Sequence, residues 1–207
     1  MPACFARQRR GRSGKRLNSV QSRFALRSVI ATRNTINLIF MNKIKVNSKG
    51  ALFFDGKEYK CVIGKNGVSV DKKEGDGATP IGCFPIRRVF YRADKVEKPV
   101  SPFETIVLTR DDGWCDEVND PKYNQLIKLP YQSSHENLWR EEDDLYDIIV
   151  DLGYNDNPPV PGKGSAIFMH IARSTFTPTA GCIALSLSDL MEILKNCDLD
   201  TLVCVED

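Results

Sequence analysis

Acidic residues are missing from the first quarter of this chain. None occurs before Asp55, whereas residues 1–40 hold eight arginines and one lysine. The overall charge of +2 hides that asymmetry: setting those nine basic residues aside leaves 20 against 27 acids, a formal charge of −7 for residues 41–207. An acidic folded part lacks the basic footprint of a nucleic-acid binder, so no nucleic-acid partner is expected. Histidine is scarce, with two residues, and the seven cysteines form no CxxC pair. Neither residue type clusters at zinc-like spacing, so no metal site is expected. The odd cysteine count leaves at least one thiol free, and the others read as buried packing rather than as the framework of a disulfide-rich compartment. Long apolar runs are absent too. No segment approaches the roughly 20 residues that span a bilayer, which argues against an integral membrane segment. The glycine-rich stretch Asp71–Gly82 lacks the Gly-Lys-Ser/Thr ending of a phosphate-binding loop.

What is present is a strand-forming pattern that begins at Met41. Residues 1–40, rich in Arg, Ser and Asn, read as a basic extension outside the fold. Three readings of it stand: a transit peptide, a translated region upstream of a start at Met41, or a poor secretory signal. Residues 41–207 read as one domain. Short apolar runs at Ile44–Asn47, Ala51–Phe54 and Lys57–Ile63 are separated by turn residues, with Asp55-Gly56 a hairpin signal. Further strands are expected at Cys83–Tyr91, Thr105–Thr109, Tyr146–Leu152, Ser165–Ile171, Ile183–Leu185 and Thr201–Val205. Pro121–Leu126 reads as a helical turn. Ser186–Asn196 reads as a helix, capped by Ser186 or Ser188, with Leu190, Ile193 and Leu194 on one face. The expected architecture is mainly β: a mostly antiparallel sandwich or barrel-like fold with one or two short helices.

The chemistry concentrates in Phe168–Leu185. His170 precedes Cys182 by twelve residues, and both adjoin strand-like runs. A free thiol of pKa about 8.5 is a weak nucleophile until a base takes its proton, and an imidazole is suited to that task. Cys182 is the candidate nucleophile and His170 the candidate general base and acid. Backbone N–H groups at Gly181 and Cys182 are the candidate oxyanion donors. Glycine at 181 allows positive φ and close approach to the backbone. The group that orients His170 is left open among a backbone carbonyl, Ser165 and Thr179.

Several ordered segments together resemble the L,D-transpeptidase (YkuD-type) family. These are Gly75–Phe84 with its Thr79-Pro80-Ile81-Gly82-Cys83-Phe84 core, Asp112–Asp116, Leu138–Arg140, Leu152–Asn155, Gly164–His170 and Gly181–Ile183. The resemblance covers about Met41–Asp207 and is to a compact bacterial branch. It implies an L,D-transpeptidase-like β-sandwich and a cysteine acyltransferase acting on peptidoglycan stem peptides without a cofactor. Cys182 would be acylated by a tetrapeptide stem with loss of its terminal D-alanine, and an acceptor amine would resolve the thioester. The substrate places the protein in the cell envelope or periplasm.

Three departures from the family pattern bear on the substrate. Thr179-Ala180 stands where a polar pair, often Ser-His, precedes Gly-Cys. Ala184 stands where an arginine usually follows the cysteine by two positions. The His–Cys interval is short. Arg173 is the nearest substitute carboxylate clamp and Arg140 a more distant one; with Thr179 they make up the expected substrate contacts. A cysteine hydrolase on the same scaffold and a non-catalytic cell-wall-binding module are the competing readings. Oligomeric state is not legible. His135 reads as a solvated loop residue, Trp114 and Trp139 as core or rim aromatics, and Glu141–Asp144 as a solvated charge run.

Overall fold

A computed structural model describes residues 42–207, so the expectations for residues 1–40 lie outside the described residues. In chain order the elements are β1 (Lys43–Asn47), β2 (Ala51–Phe54), β3 (Lys57–Val62), β4 (Val68–Ser69), β5 (Thr79–Pro80), β6 (Gly82–Tyr91) and β7 (Thr105–Val107). Then come β8 (Asp112–Cys115), β9 (Leu126–Lys128), β10 (His135–Asn137), β11 (Ile148–Leu152), β12 (Phe168–Ile171), β13 (Ile183–Leu185), α1 (Leu187–Asn196) and β14 (Leu202–Glu206).

The first hairpins follow from turn chemistry. Asp55 and Gly56 both adopt positive φ, 49° and 73°, as a two-residue turn matched to strand twist requires. Before β2, the Asn47 side chain accepts the N–H groups of Lys49 and Ala51, each at 3.0 Å. In β1, Ile44 and Val46 are buried while Lys43 and Lys45 are exposed, the period-two pattern of a strand with one face on the core.

The large sheet runs β11-β12-β13-β3-β2-β1-β14-β6-β7, and β11 also pairs with β6, which closes eight strands into a ring. Closure depends on β6. Its first half pairs with β14 and its second half with β11. The pairings β1–β14, β12–β13, β4–β5 and β6–β7 are parallel. The mainly β fold is as expected, and it mixes the two strand directions. Inside the ring lies a core that includes Ile44, Leu52, Val89, Val150, Met169, Ile183 and Val203. Helix α1 adds Leu190, Ile193 and Leu194, all fully buried. A second cluster, with Phe90, Trp114, Leu138, Ile149, Phe168 and Cys182, packs on the opposite face of β11 and β12. The three-stranded sheet β10-β8-β9 stands over that side.

Some expectations need correction. The turn expected over Pro121–Leu126 spans residues 121–124, and Leu126 opens β9. α1 is the one helix among the described residues. Strand β8 is buried at all four positions, so it shows no alternation to read. Cys83 and Cys204, expected as unpaired packing residues, face each other across the β6–β14 register and form a disulfide. Residues 141–144 do more than meet solvent, since Asp143 binds Arg140 at 2.9 Å and Glu141 binds Arg110 at 2.6 Å.

Ser186 caps α1 by accepting the Asp189 N–H at 3.1 Å. Ser186→Ala is expected to cost about 1 kcal/mol of stability. Urea unfolding should show a lower midpoint with an unchanged slope; an unchanged midpoint would mean that the cap contributes nothing.

Candidate active site

Strand parity and register bring the two expected catalytic residues together. Side chains alternate across a strand, so Phe168 and His170 share one face of β12, and Met169 and Ile171 the other. The parallel register sets His170 beside Ala184 and Met169 beside Ile183. Cys182, two residues before Ala184, therefore emerges on the His170 face. The packing agrees: Met169 and Ile183 lie in the ring core, Phe168 and Cys182 in the outer cluster.

Gly181 is needed at the turn into β13. Its φ is +146°, and a Cβ there would lie 2.9 Å from the Ala78 carbonyl oxygen. The Thr79 hydroxyl sets that close approach. It donates to the Gly181 carbonyl at 2.9 Å and accepts the Gly64 N–H at 2.8 Å, fully buried. Thr179 completes the brace. Its hydroxyl donates to the Cys182 carbonyl at 2.6 Å and accepts the Gly181 N–H at 3.1 Å. Two expectations change as a result. Thr179 holds the Cys182 loop through its hydroxyl, and the Gly181 N–H is committed to Thr179, so it is not free for an oxyanion.

The imidazole is held by backbone. His170 Nδ1 lies 2.9 Å from the Ile171 carbonyl oxygen. A carbonyl only accepts, so Nδ1 carries the proton and Nε2 is left with its lone pair. Of the three candidates for the orienting group, the backbone carbonyl is the one found. Tyr146 packs edge-on against the ring, centroids 5.3 Å apart. Burial pulls the His170 pKa down from 6.5 to about 4, opposed by its hydrogen bond to the Ile171 carbonyl. Burial also pushes the Cys182 thiol up to about 12, and the Phe168 N–H works against that shift. The resting pair is thus a neutral thiol and a neutral imidazole.

No hydrogen bond joins Cys182 to His170. The thiol donates to the Ala166 carbonyl at 3.2 Å and accepts the Phe168 N–H at 3.4 Å. Ala166 turns its carbonyl from a left-handed backbone, φ +50°, unusual for a residue with a Cβ.

Two cavities flank Cys182. One, of about 320 Å³, is lined by His170, Tyr146, Arg140, Arg173, Thr179 and Ala184 among others. It gathers the expected substrate contacts around the pair. Arg140 is already surrounded by carboxylates, at 3.0 Å from Glu136, 2.9 Å from Asp143 and 3.7 Å from Glu142. Arg173 is half exposed, and its nearest carboxylate is Asp143 at 3.7 Å. The second cavity, of about 170 Å³, lies on the other flank of Cys182 and is lined by Lys72, Glu74, Asp116, Glu136 and Ser165 among others. Sequence reasoning missed Lys72, Asp116, Glu136 and Tyr146. Their only signal was proximity to segments singled out for other reasons. His135 opens β10, where its Nδ1 donates to the Ser133 carbonyl at 2.7 Å, away from both cavities. Trp114 is core, and Trp139 lies under the Arg92 guanidinium at 3.5 Å.

A family model described as the L,D-transpeptidase catalytic domain (YkuD) matches residues 42–205. Two solved structures are similar. An L,D-transpeptidase from Mycobacterium smegmatis is 12% identical with a TM-score of 0.38, over 80% of this chain and 58% of that one. L,D-transpeptidase 3 from Mycobacterium tuberculosis, solved with a faropenem-derived adduct, is 14% identical with a TM-score of 0.37, over 80% and 60%. The chain therefore spans about three-fifths of the length of these solved proteins. No curated protein matches.

The burial of neutral His170 has a consequence for stability. Between about pH 4 and 6.5 the unfolded chain binds a proton at His170 that the folded chain does not. Acid therefore favours unfolding there, and stability is lost as pH falls through 6.5. Between pH 7 and pH 5 this group should remove about 2 kcal/mol. Urea unfolding of the wild type and His170→Asn at both pH values isolates the term: the wild type should lose about 2 kcal/mol more than the variant. Equal losses would show that His170 titrates normally.

Proposed function

The chain belongs to the L,D-transpeptidase catalytic-domain family, and from that membership we propose that it is a cysteine acyltransferase joining peptidoglycan stem peptides, with Cys182 as nucleophile and His170 as base. The observation that carries this reading is the register between β12 and β13, which sets both side chains on one face and on one cavity.

The steps follow from the geometry. A donor tetrapeptide enters the larger cavity, where Arg173, the less committed of the two arginines, meets its terminal carboxylate. The thiol turns from the Ala166 carbonyl towards His170 Nε2 and gives up its proton. The sulfur attacks the carbonyl carbon, and a C–S bond forms as the carbonyl oxygen takes the negative charge. With the Gly181 N–H committed to Thr179, the Cys182 N–H is the backbone donor for that oxyanion. The C–N bond breaks, and His170 returns its proton to the departing amine of D-alanine. An acceptor amine then attacks the thioester. A new amide forms, the C–S bond breaks, and one amine proton passes through His170 to the thiolate.

The proposed site of action is the cell envelope. The Cys83–Cys204 disulfide supports an oxidising compartment, where such bonds persist. Among the described residues no helix is long and apolar enough to cross a membrane.

Mass spectrometry after incubation with a carbapenem tests the reading. Wild-type protein should gain one covalent adduct on Cys182, and Cys182→Ala none. His170→Ala should slow adduct formation by about 10²- to 10⁴-fold, the usual contribution of a positioned base. A wild type that stays unlabelled at every concentration sinks the enzyme reading and leaves a binding module. Reaction with tetrapeptide stems, with and without an amine acceptor, then separates joined from hydrolysed products.

A further inference from the structure

The Cys182 sulfur has two hydrogen-bond partners, the Ala166 carbonyl and the Phe168 N–H. His170 is not one of them, so the sulfur's starting place is set by the segment from Ala166 to Phe168. Attack needs the reacting atoms aligned at about 3–3.5 Å, and a small misplacement slows it steeply. Whatever fixes that segment therefore acts on the reaction. Ala166 is its weak point. A φ of +50° is a conformation that a residue with a Cβ keeps only under constraint.

Asn124 supplies the constraint. Its Oδ1 accepts the Ala166 N–H at 3.0 Å and the Trp114 Nε1–H at 2.9 Å. Its Nδ2 donates to the Asn155 carbonyl at 2.7 Å and the Tyr154 carbonyl at 3.0 Å. An indole or backbone N–H only donates and a carbonyl only accepts, so the amide has one orientation and is fully used. Asn124 is itself fixed. It is buried, its φ is +56°, and its N–H donates to the Cys115 carbonyl at 2.8 Å. It also reaches the sulfur's second partner, because the Trp114 ring it holds packs edge-on against Phe168, centroids 5.1 Å apart. Asn124 lines neither cavity beside Cys182. Its influence passes through Ala166 and Trp114 rather than through contact with substrate.

We propose that Asn124 is a positioning residue for Cys182, locking the Ala166 peptide and the Trp114 ring so that the sulfur is held in one place before attack. This rests on the transpeptidase reading and adds to it how the thiol is placed without a bond to His170. With the sulfur held, rotation about Cβ–Sγ swings only the thiol hydrogen, from the Ala166 carbonyl towards His170 Nε2.

Two substitutions in the full chain test this. Asn124→Gly removes the amide, and glycine keeps the left-handed backbone without strain. Asn124→Asp keeps an acceptor oxygen for Ala166 and, when protonated, one donor for the carbonyls. Acylation by a carbapenem is followed by mass spectrometry against its concentration. The rate constant is read from folded molecules alone. Asn124→Gly is expected to lower the limiting rate by about ten-fold or more, with the half-saturating concentration within about two-fold of wild type. Asn124→Asp is expected to stay within about three-fold of the wild-type rate. The Cys182 S–H stretch, isolated by Raman difference against Cys182→Ala, should show a hydrogen-bonded thiol in wild type and a free one in Asn124→Gly. The Cys61 and Cys197 stretches should not move. An undiminished rate in Asn124→Gly, or an Asn124→Asp rate that falls as far, overturns the assignment and leaves the transpeptidase reading standing. So does a free Cys182 thiol in wild type, whether or not Asn124→Gly folds. A wild type that a carbapenem never labels overturns that reading and this role with it.

Discussion

The parallel pairing of β12 with β13 is the constraint on which the site depends. A slip of one residue would turn every side chain of one strand to the opposite face. His170 would then enter the ring core, or Cys182 would. The register is held by burial on both faces. Met169, Ile171, Ile183 and Leu185 fill the ring core, while Phe168 is closed over by Trp114 and Tyr146. Neither strand has a polar face that solvent would accept after a slip. The same double burial explains why the His170 imidazole can sit at 5% exposure without a carboxylate partner. It stays neutral, and one backbone carbonyl is enough to orient it.

The Cys182 loop is fixed from a segment a hundred residues upstream. Thr79 joins Gly64 to the Gly181 carbonyl, and the absence of a side chain at 181 lets the Ala78 carbonyl approach. Thr179 then ties its own loop to the segment that follows β3, donating its N–H to the Ile63 carbonyl and accepting the Lys65 N–H at its carbonyl, each at 2.9 Å. The Thr-Pro segment and the Gly-Cys segment are thus two halves of one support. Their appearance together in the sequence has a physical basis, because neither is useful without the other.

Much of this was legible in the sequence, for identifiable reasons. Strands with one buried face, such as β1, showed their alternation. The Asp55-Gly56 turn and the Ser186 cap were readable because their chemistry is local. Cys182 and His170 could be singled out because candidate nucleophiles and bases belong to few residue types. What stayed hidden depends on distant contacts. Strand β8 lacks alternation because it is buried throughout. The disulfide depends on the β6–β14 register, 121 residues apart in sequence. Arg140 reads as a substrate clamp until Glu136 and Asp143 appear around it.

The resting site also constrains how activation must occur. With the thiol raised to about 12 and the imidazole lowered to about 4, the neutral pair dominates the free protein overwhelmingly. Both shifts oppose a preformed thiolate–imidazolium ion pair. In the proposed mechanism, proton transfer from Cys182 to His170 then accompanies attack rather than preceding it. Burial is the main cause of the raised thiol pKa, and the Glu136 carboxylate adds to it. Glu136 faces both cavities.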